Sequence, residues 1–269
     1  MPKKEDKKIK LIVILGPTAS GKSNLAVTLA NRFDGEIISA DSRQIYKWLN
    51  LGTGKITKKE MKRVPHHLLN ITCPSHHFSA AHFQKIANRT IRQIAQKGKL
   101  PFLVGGSAFY IYSVADGWQF PKAKIDRKLR RELSKKTAAE LFIILQQIDP
   151  RRAQTIEKQN PRRLIRAIEI AKQLGSVPPR TNKSNFSCLF LGIKKTDKEL
   201  KSLIEKRLQT RLDIGMAEEV NRLLKSKKLT YKRCQELGLE YKWIAKYIAK
   251  EISYEEMFAR LNADIWRFS

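Results

Sequence analysis

The sequence predicts an α/β fold: a parallel sheet with helices on both faces, carrying a helical insertion domain. Three observations predict it. Strand-like apolar runs alternate with helix-like segments over residues 9–115, and that rhythm builds a parallel sheet because each crossover returns over a face. Gly16, Pro17, Thr18, Ala19, Ser20, Gly21, Lys22 and Ser23 fit G-x-x-x-x-G-K-[ST], the phosphate-binding loop, with a strand pattern before it and a helix pattern after it. Residues 117–185 lose the strand rhythm and become helix-like and rich in Arg. The core is therefore P-loop NTPase-like. Its first part is expected over 1–116, the helical insertion over 117–185, and the completing strand and helices over 186–269.

Each element has its own signal. Leu11 to Leu15 is a continuous apolar run, the mark of a strand covered on both sides, and Asn24 to Arg32 reads as the following helix. Glu36 to Ser39 is a second short strand, ending at Asp41. Residues 47–77 are less regular and hold His66, His67, His76 and His77. A helix is expected from Ser79 to Gln96, stopped by Gly98, and a third strand from Leu100 to Val104 is closed by Gly105, Gly106 and Ser107. In the insertion, helices are expected over 126–136, 138–148, 153–159 and 161–174, with Gly175 and then Pro178 and Pro179 ending the last. Phe186 to Ile193 is a returning strand, and helices are expected over 197–226, 240–249 and 253–267. The phosphate loop, Asp41 and the Gly105–Ser107 turn all follow strands. Parallel sheets collect ligands at those ends, so three distant segments converge on one site.

Composition bounds the partners. The 269 residues carry 54 Lys and Arg against 25 Asp and Glu, a net charge of +29. A polyanion partner is the simplest explanation, with a generally Lys-rich lineage as the bland one. No apolar run is long enough to span a membrane, and Met1 to Lys8 does not read as a signal peptide. Cys73, Cys188 and Cys234 lie far apart, which suits the cytoplasm rather than a disulfide framework.

The candidate chemistry starts at the loop. Its backbone N–H groups face an anion and the helix N-terminus behind them adds positive charge. Lys22 would reach phosphate oxygens and the Ser23 hydroxyl would sit on Mg²⁺. Asp41 could hold a metal, take a proton from a nucleophile, or cap the next helix; spacing leaves these open. The five histidines show no metal-protease spacing, and capping, packing or exposure explains them better. Arg162 and Arg166 lie four apart on one helix side, with Arg163 offset. With Arg130 and Arg131 they either track a nucleic-acid backbone or form a solvated charged face. Arg207 and Arg211, one turn apart, are candidates to neutralise a leaving phosphate.

The combined pattern resembles the tRNA dimethylallyltransferases, also called tRNA isopentenyltransferases. The resemblance is carried, in order, by Gly16 to Ser23, Asp41-Ser-Arg-Gln-Ile-Tyr46, Pro65-His-His-Leu68 and Leu100 to Ser107. It continues through Asn160 to Glu169, Ile204-Glu-Lys-Arg207, Gly215, Glu219 and Leu237-Gly-Leu-Glu240. It implies transfer of a dimethylallyl group from its diphosphate to N6 of the adenine on the 3′ side of the anticodon. By resemblance Asp41 is the base, Lys22 and Arg207 stabilise the departing diphosphate with the Gly16–Ser23 loop, and Ser23 holds Mg²⁺. The tRNA contacts it implies are Asp41, Ser42, Arg43, Gln44, Ser107, Arg130, Arg162, Arg163, Leu164, Ile165 and Arg166. A monomer with no membrane partner is expected.

Two departures stand out. The family has Gly-Gly-Thr-Gly-Leu-Tyr where this chain has Gly105-Gly-Ser-Ala-Phe-Tyr110, so Ala108 is expected to alter the local turn. Family members also continue past the position of Ser269 through a basic, aromatic-containing helix, so either a truncated chain or a naturally short protein is expected, with weaker tRNA affinity in either case. Three alternatives remain at this point: a small-molecule kinase using ATP, an isopentenyltransferase acting on free adenine nucleotides, and a nucleotide-switched RNA-binding protein. The charge and the Arg-rich insertion favour tRNA.

Overall fold

Strand β1 (Ile9–Leu15) encloses Leu11, Val13 and Ile14 completely, as a strand covered on both faces must. In the computed structural model, which describes residues 8–269, it lies next to the last place in one five-stranded sheet. The basic N-terminal segment read for the absence of a signal peptide lies outside the described residues, Lys8 excepted. The other strands are β2 (Gly35–Ser39), β3 (His66–His67), β4 (Leu100–Gly105) and β5 (Phe186–Gly192). Their order is β3-β2-β4-β1-β5 and every neighbouring pair is parallel. Val13 stands opposite Leu103 on one side and Phe190 on the other, which fixes the register at the centre. Strand β3 has no apolar signal; it is held by pairing with Ile37 and Ile38, so its two histidines escaped the sequence pattern.

The chain divides into two compact units. One runs to Gly117 and resumes over Ser184–Ser269; the other is Trp118–Lys183. In the first, α1 (Lys22–Arg32) follows the phosphate loop and buries Ala26, Val27 and Ala30 against the sheet. After the short α2 (Lys58–Met61) comes α3 (Ala80–Gln96). The Ser79 side chain caps α3 by accepting from the His82 amide, and Phe83, Ala87, Ile91 and Ile94 form its buried stripe. Helix α4 (Ala108–Ala115) starts at Ala108 itself, after Ser107 in the N-cap position. The position needs no left-handed residue, so alanine is accommodated as a helix former.

In the second unit α5 (Arg127–Leu133), α6 (Ala138–Ile148), α7 (Pro150–Thr155) and α8 (Pro161–Leu174) close over Leu133, Leu141, Leu145, Leu164 and Ile168. The helix expected over 153–159 starts earlier. Asp149 caps it by accepting from the Arg152 amide and Pro150 occupies the first turn.

The C-terminal helices return to the first unit. The helix expected over 197–226 is two, α9 (Asp197–Asp213) and α10 (Met216–Lys225), because Gly215 takes a left-handed φ of 100° between them. An unanticipated α11 (Tyr231–Leu237) is capped by Thr230 and precedes α12 (Leu239–Ile248) and α13 (Tyr254–Phe268). No helix among the described residues is long and apolar enough to cross a membrane.

Candidate active site

The carboxyl ends of β1, β2 and β4 meet at a cavity of about 140 Å³ in the first unit. Thr18, Lys22 and Ser23 line it from the loop, Asp41 to Gln44 from the segment after β2, and Ser107 from the segment after β4; Arg207 and Arg211 enter from α9. A second cavity of about 480 Å³ lies against the loop residues Ala19 to Ser23, with Lys55, Lys206, Arg207 and Arg211 on its other walls. The structure therefore brings together Thr18, Lys22, Ser23, Asp41, Ser42, Arg43, Gln44, Ser107 and Arg207. Gly16, Pro17, Ala19, Ser20 and Gly21 shape the loop and do not line the first cavity.

Asp41 is used twice. Its Oδ1 accepts from the Arg43 amide at 2.8 Å and the Gln44 amide at 3.3 Å, a local cap that fixes the carboxylate. Oδ2 makes no hydrogen bond among the described residues and belongs to a cavity-lining side chain. Ser107 Oγ accepts from the Ser42 amide at 2.9 Å and ties the ends of β2 and β4 together. Gly105 permits that closeness: a Cβ there would lie 2.2 Å from the Ala40 carbonyl oxygen.

The site is a basic, partly desolvated place. Burial pushes the Lys22 ammonium down to about 8; Asp41 opposes the shift and Arg207 adds to it. Lys22 Nζ donates to the Pro17 carbonyl of its own loop. Burial likewise lowers the Arg207 and Arg43 guanidiniums, with Arg211 as the next contributor for Arg207. Arg207 Nη2 donates to the Gly54 carbonyl at 3.2 Å. Gly54 has φ of 56°, and a Cβ on it would fall 2.1 Å from that Nη2, so the arginine's seat requires glycine.

Sequence reasoning missed the brace behind this seat. Glu219, 6% exposed, accepts the amides of Asn50 at 3.2 and 3.1 Å, Leu51 at 2.9 Å and Gly52 at 3.1 Å. Tyr241 Oη donates to the same carboxylate at 3.4 Å. The Gly52–Thr53–Gly54 spacing was the available signal, since paired glycines mark close approach of other groups. His66 and His67 serve the sheet edge: His66 Nδ1 lies 2.8 Å from the Val64 carbonyl, and His67 Nε2 2.7 Å from Glu36.

In the second unit Arg130 and Arg166 are not plain surface charge. Both ion-pair with Glu169, which has no exposed surface: Arg130 donates through Nε at 2.9 Å and Nη2 at 2.7 Å, and Arg166 through Nη1. About a third of each arginine side chain stays exposed, 37% and 34%. Leu164, grouped above with the tRNA contacts, is fully enclosed in the helical core, so its side chain packs and faces no ligand. Ile165 is half-buried against the same core. Arg162 and Arg163 are exposed, and Arg163 pairs with Glu157 at 2.9 Å.

The parallel sheet, the glycine loop at the carboxyl end of β1 and the cluster of cations around a carboxylate define a P-loop-like α/β protein. The family model described as IPP transferase matches residues 44–269, so the chain belongs to the IPP transferase family. It is 39% identical over 264 residues to tRNA dimethylallyltransferase 2 of Shewanella sediminis, covering 98% of this chain and 87% of that one. It is 36% identical to the tRNA dimethylallyltransferase of Anoxybacillus flavithermus, covering 97% and 85%. Among solved structures, the full-length tRNA isopentenylpyrophosphate transferase of Bacillus halodurans superposes with a TM-score of 0.72 at 35% identity, over 97% of this chain and 84% of that one. A eukaryotic dimethylallyltransferase acting on tRNA superposes with a TM-score of 0.85 at 26% identity, over 97% and 68%.

Proposed function

We propose that the chain transfers the dimethylallyl group of dimethylallyl diphosphate to N6 of the adenine 3′-adjacent to the anticodon in tRNA, releasing diphosphate. Membership of the family and the relatives' names support the reaction class. The observation that carries the residue roles is the shared cavity of Asp41, Lys22, Ser23 and Arg207. The adenine N6 is a weak nucleophile because its lone pair is delocalised into the ring. As the N6–carbon bond forms and the carbon–oxygen bond to diphosphate breaks, Asp41 Oδ2 takes the N6 proton. The cap on Oδ1 keeps that carboxylate aimed. Lys22, the loop amides and Arg207 take the charge gathering on the departing diphosphate. Charge on a buried donor matters most where water is excluded, and Lys22 and Arg207 are both substantially desolvated.

Ser23 lines both cavities and its hydroxyl makes no hydrogen bond to the described residues, which fits a ligand of Mg²⁺. Bound there, Mg²⁺ would neutralise diphosphate charge. Ile56, Leu239, Ile265 and Phe268 give the first cavity its apolar side, and we assign them to the dimethylallyl tail. The adenine must leave the anticodon-loop stack to reach Asp41. We assign the grip on the anticodon stem-loop to Ser42, Arg43, Gln44 and Ser107 and, in the helical unit, to Arg130, Arg162, Arg163 and Arg166. The net charge of +29 supports a nucleic-acid partner. We assign the activity to a cytoplasmic monomer; the free Cys73, Cys188 and Cys234 suit a reducing compartment.

The test is incubation of the protein with unmodified tRNA and either labelled dimethylallyl diphosphate or labelled ATP. Label entering tRNA from the isoprenoid donor alone is the expected result. Phosphate transfer from ATP to a small molecule, or hydrolysis without transfer, overturns it.

A further inference from the structure

Arg211 is a buried cation with one hand occupied by the fold and one free. Only 8% of the residue is exposed. Its Nε donates to the Leu51 carbonyl at 2.6 Å and its Nη1 to Glu240 Oε1 at 3.0 Å. Its Nη2 is fully enclosed and has no partner among the described residues, and the side chain lines both cavities beside the phosphate loop. A guanidinium donor sealed from water without an acceptor is costly, and buried polar groups nearly always find partners. The local charge points the same way. Lys22, Arg43, Arg207 and Arg211 line the first cavity with only Asp41 and Glu240 as carboxylates, leaving two positive charges unbalanced. Arg207 stands close enough for Arg211 to lower its proton affinity, so two like charges are held together in a desolvated place. A multiply charged anion is the ligand that balances both.

We propose that Arg211 is a second arginine of the diphosphate site, its Nη2 donating to a diphosphate oxygen while Glu240 and the Leu51 carbonyl hold the guanidinium plane. The proposal rests on the transfer reaction assigned above and adds a ligand contact to it. Arginine suits the role because its fork serves two fixed partners and one ligand at once, which an ammonium cannot do.

The experiment measures binding of inorganic pyrophosphate and of an anticodon stem-loop RNA to the wild-type chain, Arg211→Met and Arg211→Lys, together with label transfer to tRNA. Arg211→Met should weaken pyrophosphate binding roughly 10- to 100-fold, the range of a lost charge-assisted hydrogen bond, and keep RNA binding. Arg211→Lys should recover part of the loss. Folded Arg211→Met with wild-type pyrophosphate affinity overturns the proposal. If Arg211→Met does not fold, a structure of the wild-type chain with pyrophosphate decides: Nη2 within about 3.2 Å of a diphosphate oxygen supports it, and Nη2 turned to a protein group overturns it. Pyrophosphate binding that depends on Arg211 in a chain that transfers no prenyl group upholds this contact and removes the reaction. Normal transfer with unchanged pyrophosphate binding in Arg211→Met does the reverse.

Discussion

The Asp41 carboxylate accepts the backbone N–H of Arg43 at 2.8 Å through Oδ1 alone. The same side chain thus orders the turn after β2 and also lines the cavity, with its Oδ2 left without a hydrogen bond among the described residues. Asp41→Asn should separate the two. The amide oxygen of Asn can still accept from Arg43 and Gln44, so the turn survives, but the side chain no longer takes a proton. Transfer should fall roughly 10²- to 10⁴-fold, the usual worth of a positioned base. Stem-loop binding should stay within about two-fold, since the exchange removes no donor to phosphate. Single-turnover assays and filter binding check both; unchanged turnover takes the base role from Asp41.

Glu169 divides the arginines of the helical unit into two kinds. It has no exposed surface and is satisfied by Arg130, Arg166 and the Asp126 amide at 2.7 Å. Removing one partner of a buried pair leaves a charge poorly compensated, so Arg130→Ala or Arg166→Ala should cost about 1 to 3 kcal/mol of stability in addition to any RNA effect. Arg162→Ala and Arg163→Ala remove exposed side chains and should leave stability within about 0.5 kcal/mol. They should weaken stem-loop binding and lower its salt slope by roughly one each. Urea unfolding and binding across a salt series check this. Equal stability losses in all four variants would show that the burial of Glu169 does not set the difference.

Four of the five strands and the loop were legible in the sequence because they are local signals. A doubly covered strand such as β1 must be apolar along its covered stretch, here Leu11 to Leu15, and a phosphate loop must place glycines and Lys22 at fixed offsets. What stayed hidden depends on partners distant in sequence. Glu219 lies 167 residues from the Gly52 amide it accepts, and Glu169 lies 39 from Arg130. Neither carboxylate differs locally from a solvated one on an amphipathic helix. Leu164 shows the opposite error: it sits between arginines in sequence, but a helix turns consecutive positions about 100° apart, so a basic stretch still sends one residue into the core.

Lys55 gives the fold a pH dependence. Burial pushes its ammonium from 10.5 down to about 8, against the pull of Glu219 and Asp41. Between those values the unfolded chain binds a proton at this residue that the folded chain releases. Stability from this group therefore rises with pH across the window from about 8 to 10.5 and is flat below it. Its donations to the Tyr46 carbonyl at 2.7 Å and Asn70 Oδ1 at 2.6 Å keep it in place. Urea titrations of the wild-type chain and Lys55→Met from pH 7.5 to 10.5 should diverge in slope, with the wild type gaining relative to the variant as pH rises. Parallel curves would show that Lys55 titrates alike in both states.

Glu219 braces the seats of both arginines without lining either cavity. It gathers three consecutive amides, from Asn50 to Gly52, and so fixes the segment whose Leu51 and Gly54 carbonyls accept from Arg211 and Arg207. A glutamine in its place keeps the shape but turns an NH₂ toward at least one of those N–H groups, leaving a buried donor facing a donor. Glu219→Gln should therefore lose about 3 kcal/mol of stability, the upper end for a charge-assisted hydrogen bond with an unsatisfied partner left behind. Under conditions where the variant stays folded, kcat should fall more than RNA affinity, because the damage reaches the arginines through the 50–54 segment. Chemical denaturation and steady-state kinetics check both parts. A folded variant with wild-type stability and kcat would mean that the Arg207 and Arg211 seats hold themselves, and that Glu219 only fills space beneath them.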